Sequence, residues 1–395
     1  MMNYKNLQTP CFILSERDLA SNIQGFQRAL QNNFENVIVG YSVKTNSLPY
    51  CLTIAKQYGC YAEVVSYNEY ALALKLGFPQ SHIIYNGPLK SKDTFLKAIV
   101  SGAFVNIETW REIEWLQALP ADKVYQVGLR LNIDISDISP ADENHEKDDS
   151  RFGFAANTDE FGKAVAQISK LHHVCLAGIH THRTSRTRSL DFYRHTIDYA
   201  LQVIEKYGLC LKYWDLGGGF FGPMPGKPTF NDYSAAMADK LLPKLKDLTI
   251  IVEPGNALVA SCFDYVFEVI DVKHHNEQYY VTTNGTRNDV DPFFQKQDYF
   301  KTIMHQESEV KVPEQQIICG STCLEYDRMF KIDGGDTLLK VGDQIIFNRV
   351  GAYTMALTPL FIHYFPCVYL KKTDGSLELV RDEWTEYEFI QNSKY

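Results

Sequence analysis

Between Val37 and Val252 the chain repeats one pattern: a short apolar run, a polar break, then often a longer stretch of helical periodicity. Val37–Val43, Tyr61–Val65, His82–Tyr85, Phe104–Ile107, Val124–Ile133, Cys175–His180, Tyr213–Leu216 and Thr249–Val252 read as strands. Helical stretches follow at Leu48–Tyr58, Asn68–Leu76, Ser91–Val100, Thr109–Ala118 and near Leu190–Tyr207; Gly59 and Gly77 close the first two. Strands separated by helices pair in parallel, with both faces of the sheet covered. Either a doubly wound sheet or a (β/α)8 TIM barrel fits, and eight strands favour the barrel, over residues 25–262.

The texture then changes. Tyr265–Ile270, Gln278–Thr282, Gln316–Cys319 and Gln344–Phe347 are β-rich with little helical pattern. They predict a second, all-β domain, a sandwich or Greek-key-like barrel over 263–395, joined by 1–24 through the strand-like Cys11–Leu14. Asp134–Ser150, polar and carrying Pro140, reads as a long loop between barrel strands.

Composition narrows the functional classes. A net charge of −9 with no basic block argues against nucleic acid as the main partner. No apolar run approaches the roughly 18 residues that span a bilayer. Met1–Lys5 lacks the apolar stretch of a secretory signal, and the nine cysteines are odd in number and without CxxC spacing. These features suit a reducing cytoplasm, with neither a disulfide framework nor a zinc site.

The chemistry-bearing residues fall just after strands: Lys44, Ser66, Asn86, His180, His182, Gly217–Gly219 and Glu253. In a barrel those strand ends form the catalytic face. Lys44, in Tyr41-Ser42-Val43-Lys44-Thr45-Asn46, is either a surface lysine or a partly desolvated amine that attacks a carbonyl. Asp215-Leu216-Gly217-Gly218-Gly219 offers backbone N–H groups to an anion, or is simply a tight turn; it has neither GxGxxG nor Walker spacing. Glu253, closing an apolar strand, is a helix cap, a solvent-facing loop end, or the partner of a buried cation such as a protonated ring nitrogen. His180 and His182 lie on one side of their strand, as packed core, ring-facing or metal-binding imidazoles. Cys323 is either structural or a proton donor, and Tyr353 places a hydroxyl near Gly351.

The ordered set resembles the fold-type III pyridoxal-phosphate decarboxylases, the alanine-racemase-like barrel family of diaminopimelate, ornithine and carboxynorspermidine decarboxylases. The likeness runs from Thr9-Pro10-Cys11-Phe12 past Tyr353. It includes Tyr41–Asn46, similar to the family's Tyr-Ala-Val-Lys-Ala-Asn, and Ser150-Arg151-Phe152-Gly153, similar to its Ser-Lys-Phe-Gly. The resemblance implies pyridoxal 5'-phosphate as cofactor and Lys44 as its Schiff-base lysine. It implies Glu253 opposite the pyridine nitrogen, His182 on the ring face, and Gly217, Gly218, Gly219, Ser185, Gly255 and Tyr353 around the phosphate. Cys323 would reprotonate the α-carbon from the second subunit of a homodimer that shares its active sites. The alternative within the same fold is an amino-acid racemase. A third reading is a non-enzymatic pyridoxal-phosphate-binding protein.

The chain departs from diaminopimelate decarboxylases where they meet the substrate. Asn256 stands in their Glu-Pro-Gly-Arg, and Asp291 stands where they carry arginine before proline. Those arginines would serve a distal carboxylate. Leu324 follows Cys323 in place of glutamate, leaving Glu325, with Asp327 beyond, as the substitute for the distal amine. The substrate expected is therefore an α-amino acid other than meso-diaminopimelate, a polyamine precursor or a siderophore-type conjugate. Arg183, Arg186 and Arg188 are extra cations, either on the surface or binding an anionic tail.

Overall fold

The computed structural model describes residues 4, 7–136, 138–142, 150–245, 247–306 and 310–394. Residues 137 and 143–149 of the loop read at Asp134–Ser150 lie outside the described residues. The chain divides into two units, Ala20–Leu258 and the remainder.

The first unit is a closed parallel barrel. After β1 (Cys11–Ser15), which belongs to the second unit, come β2 (Val37–Ser42), β3 (Tyr61–Ser66), β4 (Ile83–Leu89), β5 (Phe104–Ile107), β6 (Tyr125–Asn132), β7 (Phe154–Ala155), β8 (Val174–His180), β9 (Tyr213–Asp215) and β10 (Thr249–Val252). Every strand from β2 to β10 except β7 takes part in the ring, and β7 pairs only with the outer end of β6. β5 pairs with the next strand β6 at Asn106↔Gly128, and β10 closes the ring on β2 at Val252↔Val39. Covered on both faces, these strands are apolar along nearly their whole length, which is why they were legible as continuous runs.

The covering helices are α1 (Glu16–Gln31), α2 (Pro49–Gln57), α3 (Tyr67–Lys75), α4 (Lys92–Val100), α5 (Trp110–Trp115), α6 (Glu160–Ile168), α7 (Leu190–Tyr207) and α8 (Phe230–Leu241). Their starts are set by side-chain caps: Ser66, Ser91 and Ser189 accept from backbone N–H groups in the first turns of α3, α4 and α7, and Thr229 forms a capping box with Asp232 on α8. Helices α1, α6 and α8 were not expected from periodicity. The signal for α1 was the Ser15-x-x-Asp18 spacing, where the Asp18 N–H donates to Ser15 Oγ.

One large residue fills the barrel interior. Tyr213 lies where a Cβ on Gly128 would meet its hydroxyl at 2.4 Å and one on Gly178 its ring at 2.3 Å, so glycines on β6 and β8 make its room. It packs with Ile84, Ala177 and Ile251. Beyond this plug, towards the C-terminal strand ends, the buried side chains turn polar: Glu63, Asn86, Asn106, His180, Asp215 and Glu253.

The second unit is a mixed sheet built on β11 (Phe263–His275), β12 (Gln278–Thr283), β13 (Lys301–Met304), β14 (Gln315–Cys319), β15 (Arg328–Ile332), β16 (Gln344–Asn348), β17 (Cys367–Lys371) and β18 (Leu377–Arg381). Its order is β15-β14-β12-β11-β1-β17-β18, with β16 on β11 and β13 on β16. The N-terminal strand β1 is central, antiparallel to β11 at Cys11↔Val266 and parallel to β17 at Cys11↔Cys367. Its core gathers Tyr4, Cys11, Ile13, Val266, Ile346 and Cys367.

Candidate active site

Lys44 falls just after a strand, as its sequence context suggested. Strand β2 stops at Ser42, and Lys44 sits in a single 3-10 turn, Val43–Thr45. That turn is pinned locally. Tyr41 donates its hydroxyl to the Asn46 carbonyl at 2.8 Å, and the Leu48 N–H donates to Asn46 Oδ1 at 3.1 Å. The result is an amine that keeps 35% of its side-chain surface while its Nζ lies 2.6 Å from Glu63 Oε2, a carboxylate only 1% exposed. Ser42 Oγ donates to the same oxygen at 2.8 Å.

From Glu63 a chain of buried groups runs around the barrel. Asn86 Nδ2 donates to Glu253 Oε1 and, at 3.4 Å, to Glu63 Oε1. Asn106 Nδ2 donates to Asn86 Oδ1 at 2.8 Å and to Asp215 Oδ2 at 2.9 Å. Glu253 Oε2 lies 3.6 Å from His180 Nε2, too far for a hydrogen bond, and neither ring nitrogen of His180 has a partner. Burial, reinforced by Arg130, holds His180 well below the usual histidine range, so its ring is neutral. Burial beside Glu253 pushes Asp215 well above the usual carboxylate range. His180, Asp215 and Glu253 offer ligand atoms within 4.8 Å of one another. Amide N–H groups of Asn86 and Asn106 already answer the two carboxylates, so the charge is met by donors of the chain itself.

The glycine run lies flat on the end of β10. Glu253 N–H donates to the Gly217 carbonyl at 2.8 Å, and a Cβ on Gly218 would meet the Glu253 carbonyl at 2.4 Å. The Gly218 N–H points to His182 Nδ1 at 3.2 Å, which fixes that nitrogen as acceptor. Burial and Arg130 push His182 down to about 3, and its ring lies parallel to that of His180, 6.2 Å away at 6°. A Cβ on Gly255 would meet Thr45 Oγ1 at 2.1 Å, so the lysine turn packs directly on Glu253-Pro254-Gly255. Lys44, His182, Gly217–Gly219, Glu253 and Gly255 thus come together at one barrel mouth.

Ser185 has a different setting. Its Oγ donates to Asp142 Oδ1 at 2.5 Å and accepts from the Arg188 N–H at 2.7 Å. Asn256, with its amide turned to satisfy both partners, accepts from Arg188 Nη1 at 2.6 Å and Nη2 at 3.2 Å.

The remaining candidates belong to the β-unit. Cys323 and Glu325 are exposed, Leu324 is half-buried, and Tyr353 takes a left-handed φ of 57° with its side chain 42% exposed. Asp291 and Asp327 are buried and engaged. Arg287 Nε and Nη2 both donate to Asp291 Oδ2, at 2.9 and 2.8 Å. Asp327 accepts from Thr286 Oγ1, the Arg287 N–H, and both the N–H and Oγ1 of Thr322. Glu63, Asn106 and Asp142 escaped the sequence reading; the available sign for Glu63 was a lone carboxylate inside an apolar strand.

A family model described as the pyridoxal-dependent decarboxylase, pyridoxal binding domain, matches residues 20–260. The chain belongs to this family. It is a pyridoxal-phosphate-dependent amino-acid decarboxylase. It is 27% identical over 393 residues to a probable chloroplastic diaminopimelate decarboxylase of Oryza sativa subsp. japonica, covering 95% of this chain and 77% of that one. It is 26% identical over 417 residues to the L-glutamyl-[BtrI acyl-carrier protein] decarboxylase of Niallia circulans, covering 98% and 94%. The fold is shared with a diaminopimelate decarboxylase from M. jannaschii, at a TM-score of 0.84 and 22% identity over 99% of this chain and 93% of that one. Among the described residues, no helix is long and apolar enough to cross a membrane.

The mouth fits the family's cofactor by its own shape and chemistry. The glycine run and Gly255 let the backbone close in on His182, Glu253 and Thr45 where any Cβ would clash, an amine with a third of its side chain accessible stands at the same mouth, and His180 and Thr45 Oγ1 are buried without hydrogen-bond partners.

Proposed function

We propose that the barrel mouth decarboxylates an α-amino acid other than meso-diaminopimelate, a polyamine precursor or a conjugated amino acid. Lys44 would hold the cofactor's carbonyl carbon, Glu253 its ring nitrogen, His182 its ring face, and the Gly217–Gly219 loop with Gly255 its phosphate. Bound pyridoxal phosphate supplies an electron sink for the pair left when carbon dioxide departs. The residues do the rest. Glu63 and Ser42 fix the Lys44 amine in place, Asn86 orients the Glu253 carboxylate, and the Gly218 N–H keeps His182 facing inward with Nδ1 unprotonated. Cys323, exposed on its loop and contributed by a second copy of the chain, would return a proton to the α-carbon, and Tyr353 would add a hydroxyl at the phosphate. A cytoplasmic homodimer is part of this reading.

The substrate reading rests on one observation: no arginine stands at 256 or 291, and Asp291 is already clamped by Arg287. A distal carboxylate therefore lacks its two expected partners. We assign Asp291 and Asp327 to the fold of the β-unit and leave Leu324 and Glu325 to face the distal group, Asn256 being held by Arg188. A relative that acts on a glutamyl group carried by an acyl-carrier protein supports a conjugate. The test is carbon dioxide release across lysine, ornithine, arginine, diaminopimelate isomers, carboxynorspermidine and citryl conjugates. Release from a conjugate or polyamine precursor supports the assignment; fastest release from meso-diaminopimelate overturns it. A racemase would instead exchange the Cα proton with solvent while keeping every carbon.

A further inference from the structure

The loop after β8 and the glycine loop after β9 are tied together through one arginine. The Arg188 guanidinium stands 5.1 Å over the Phe221 ring, just past the glycine run. Both of its terminal nitrogens reach Asn256, next in sequence to Gly255. Its backbone is fixed as firmly as its head. Tyr233 Oη donates to the Arg188 carbonyl at 2.7 Å while accepting from the Phe221 N–H at 3.3 Å, and Ser185 Oγ accepts the Arg188 N–H. The residue takes a left-handed φ of 50°, a conformation with a cost for a side chain of this size, met here by those contacts.

The same loop is held by a negative charge from the segment between β6 and β7. Asp142 accepts the Ser185 hydroxyl proton and both the N–H and Oγ1 of Thr187. At the glycine run the Gly217 N–H already donates to Asp215 Oδ1 and the Gly218 N–H to His182 Nδ1, so an anion held there has few backbone donors left and also lacks Ser185, which is spent on Asp142. A guanidinium, planar and permanently charged, offsets both, and three of its five N–H donors remain after two go to Asn256.

We propose that Arg188 is a cofactor-binding residue of this protein, its guanidinium meeting the phosphate held at the glycine run and Asn256 serving as its positioning residue. This rests on the glycine run being the phosphate site. Lys227, whose Nζ also stands 5.1 Å over Phe221, adds a second positive charge to the same ring.

The test compares two ligands on the full-length apo protein: pyridoxal phosphate and pyridoxal, which lacks the phosphate. Dissociation constants are read by absorbance titration for wild type, Arg188→Gln, Arg188→Lys and Asn256→Ala. Arg188→Gln is expected to weaken pyridoxal phosphate by about ten- to a hundred-fold, the range of a charged hydrogen-bond pair, and to leave pyridoxal unchanged. Arg188→Lys keeps charge but loses the fork, and Asn256→Ala frees the head; both are expected to weaken the phosphate form several-fold. If Arg188→Gln does not fold, the Arg188→Lys ratio decides in its place. An unchanged phosphate-to-pyridoxal ratio in the variants overturns the proposal, including the case where only the substrate's KM rises. A wild type that binds the two ligands equally overturns the phosphate-site reading beneath it.

Discussion

Two clusters of buried carboxylates, one in each unit, are built on opposite plans. In the β-unit, Asp291 and Asp327 are saturated by Arg287, Thr286, Thr322 and backbone N–H groups. At the barrel mouth, Glu63, Asp215 and Glu253 share amide donors sparingly, a neutral His180 beside them has no hydrogen-bond partner, and Lys44 keeps a third of its surface. A cluster that satisfies itself holds a loop; one that leaves neutral rings and an accessible amine is prepared for a ligand.

That contrast is open to breakage by substitution, and the largest effect belongs to Lys44. Lys44→Ala is expected to abolish the cofactor's characteristic visible absorbance and to lower turnover by at least about a thousand-fold, with some loss of stability because the buried Glu63 is left without its cation; absorbance and calorimetry check it. Next comes Glu253→Gln, which keeps the shape and the Asn86 contact but removes the charge. Turnover is expected to fall on the order of a hundred-fold, with cofactor still bound, as read by kinetics on loaded protein. Asp291→Ala should do the reverse. It strands the half-buried Arg287 and costs about 2–3 kcal/mol of stability, seen in denaturant titration, while KM stays within two-fold.

The smallest effect separates the units by pH. His182, pushed down to about 3 in the fold, binds fewer protons there than in the unfolded chain between pH 3 and about 6.5, so its own contribution to the barrel's stability is lost as pH falls through that window. Asp289, buried beside Tyr265 and raised to about 7, binds more protons folded than unfolded between about pH 4 and 7, so the β-unit loses stability as pH rises there. Each slope is at most about 1.4 kcal/mol per pH unit. Unit-resolved hydrogen exchange from pH 5 to 7 should show protection moving in opposite directions. Slopes of the same sign in both units would refute this, and Asp289→Asn should flatten only the β-unit's.

The fold was legible because parallel strands buried on both faces are continuous apolar runs, and Leu190–Tyr207 matched its helix end for end. Helices α1, α6 and α8 were missed because strand-to-helix spacing was read from apolar periodicity and not from caps such as Ser15 and Thr229. Within the site, Lys44, His182, Glu253 and the glycine run stood out as polar or small residues ending apolar runs. Glu63 and Asn106 did not, since sequence does not mark which alternate positions of a parallel strand point into the barrel. Asp142 meets Ser185 across 43 residues of chain, a partnership that no local spacing encodes.

The most direct single measurement is release of labelled carbon dioxide from carboxyl-labelled α-amino acids, run in deuterated water on loaded wild type and Lys44→Ala side by side. A decarboxylase centred on Lys44 predicts release from wild type, one deuteron placed at Cα of the product, and no release from Lys44→Ala. Deuterium entering Cα with every carboxylate retained, or release that survives in Lys44→Ala, would contradict it.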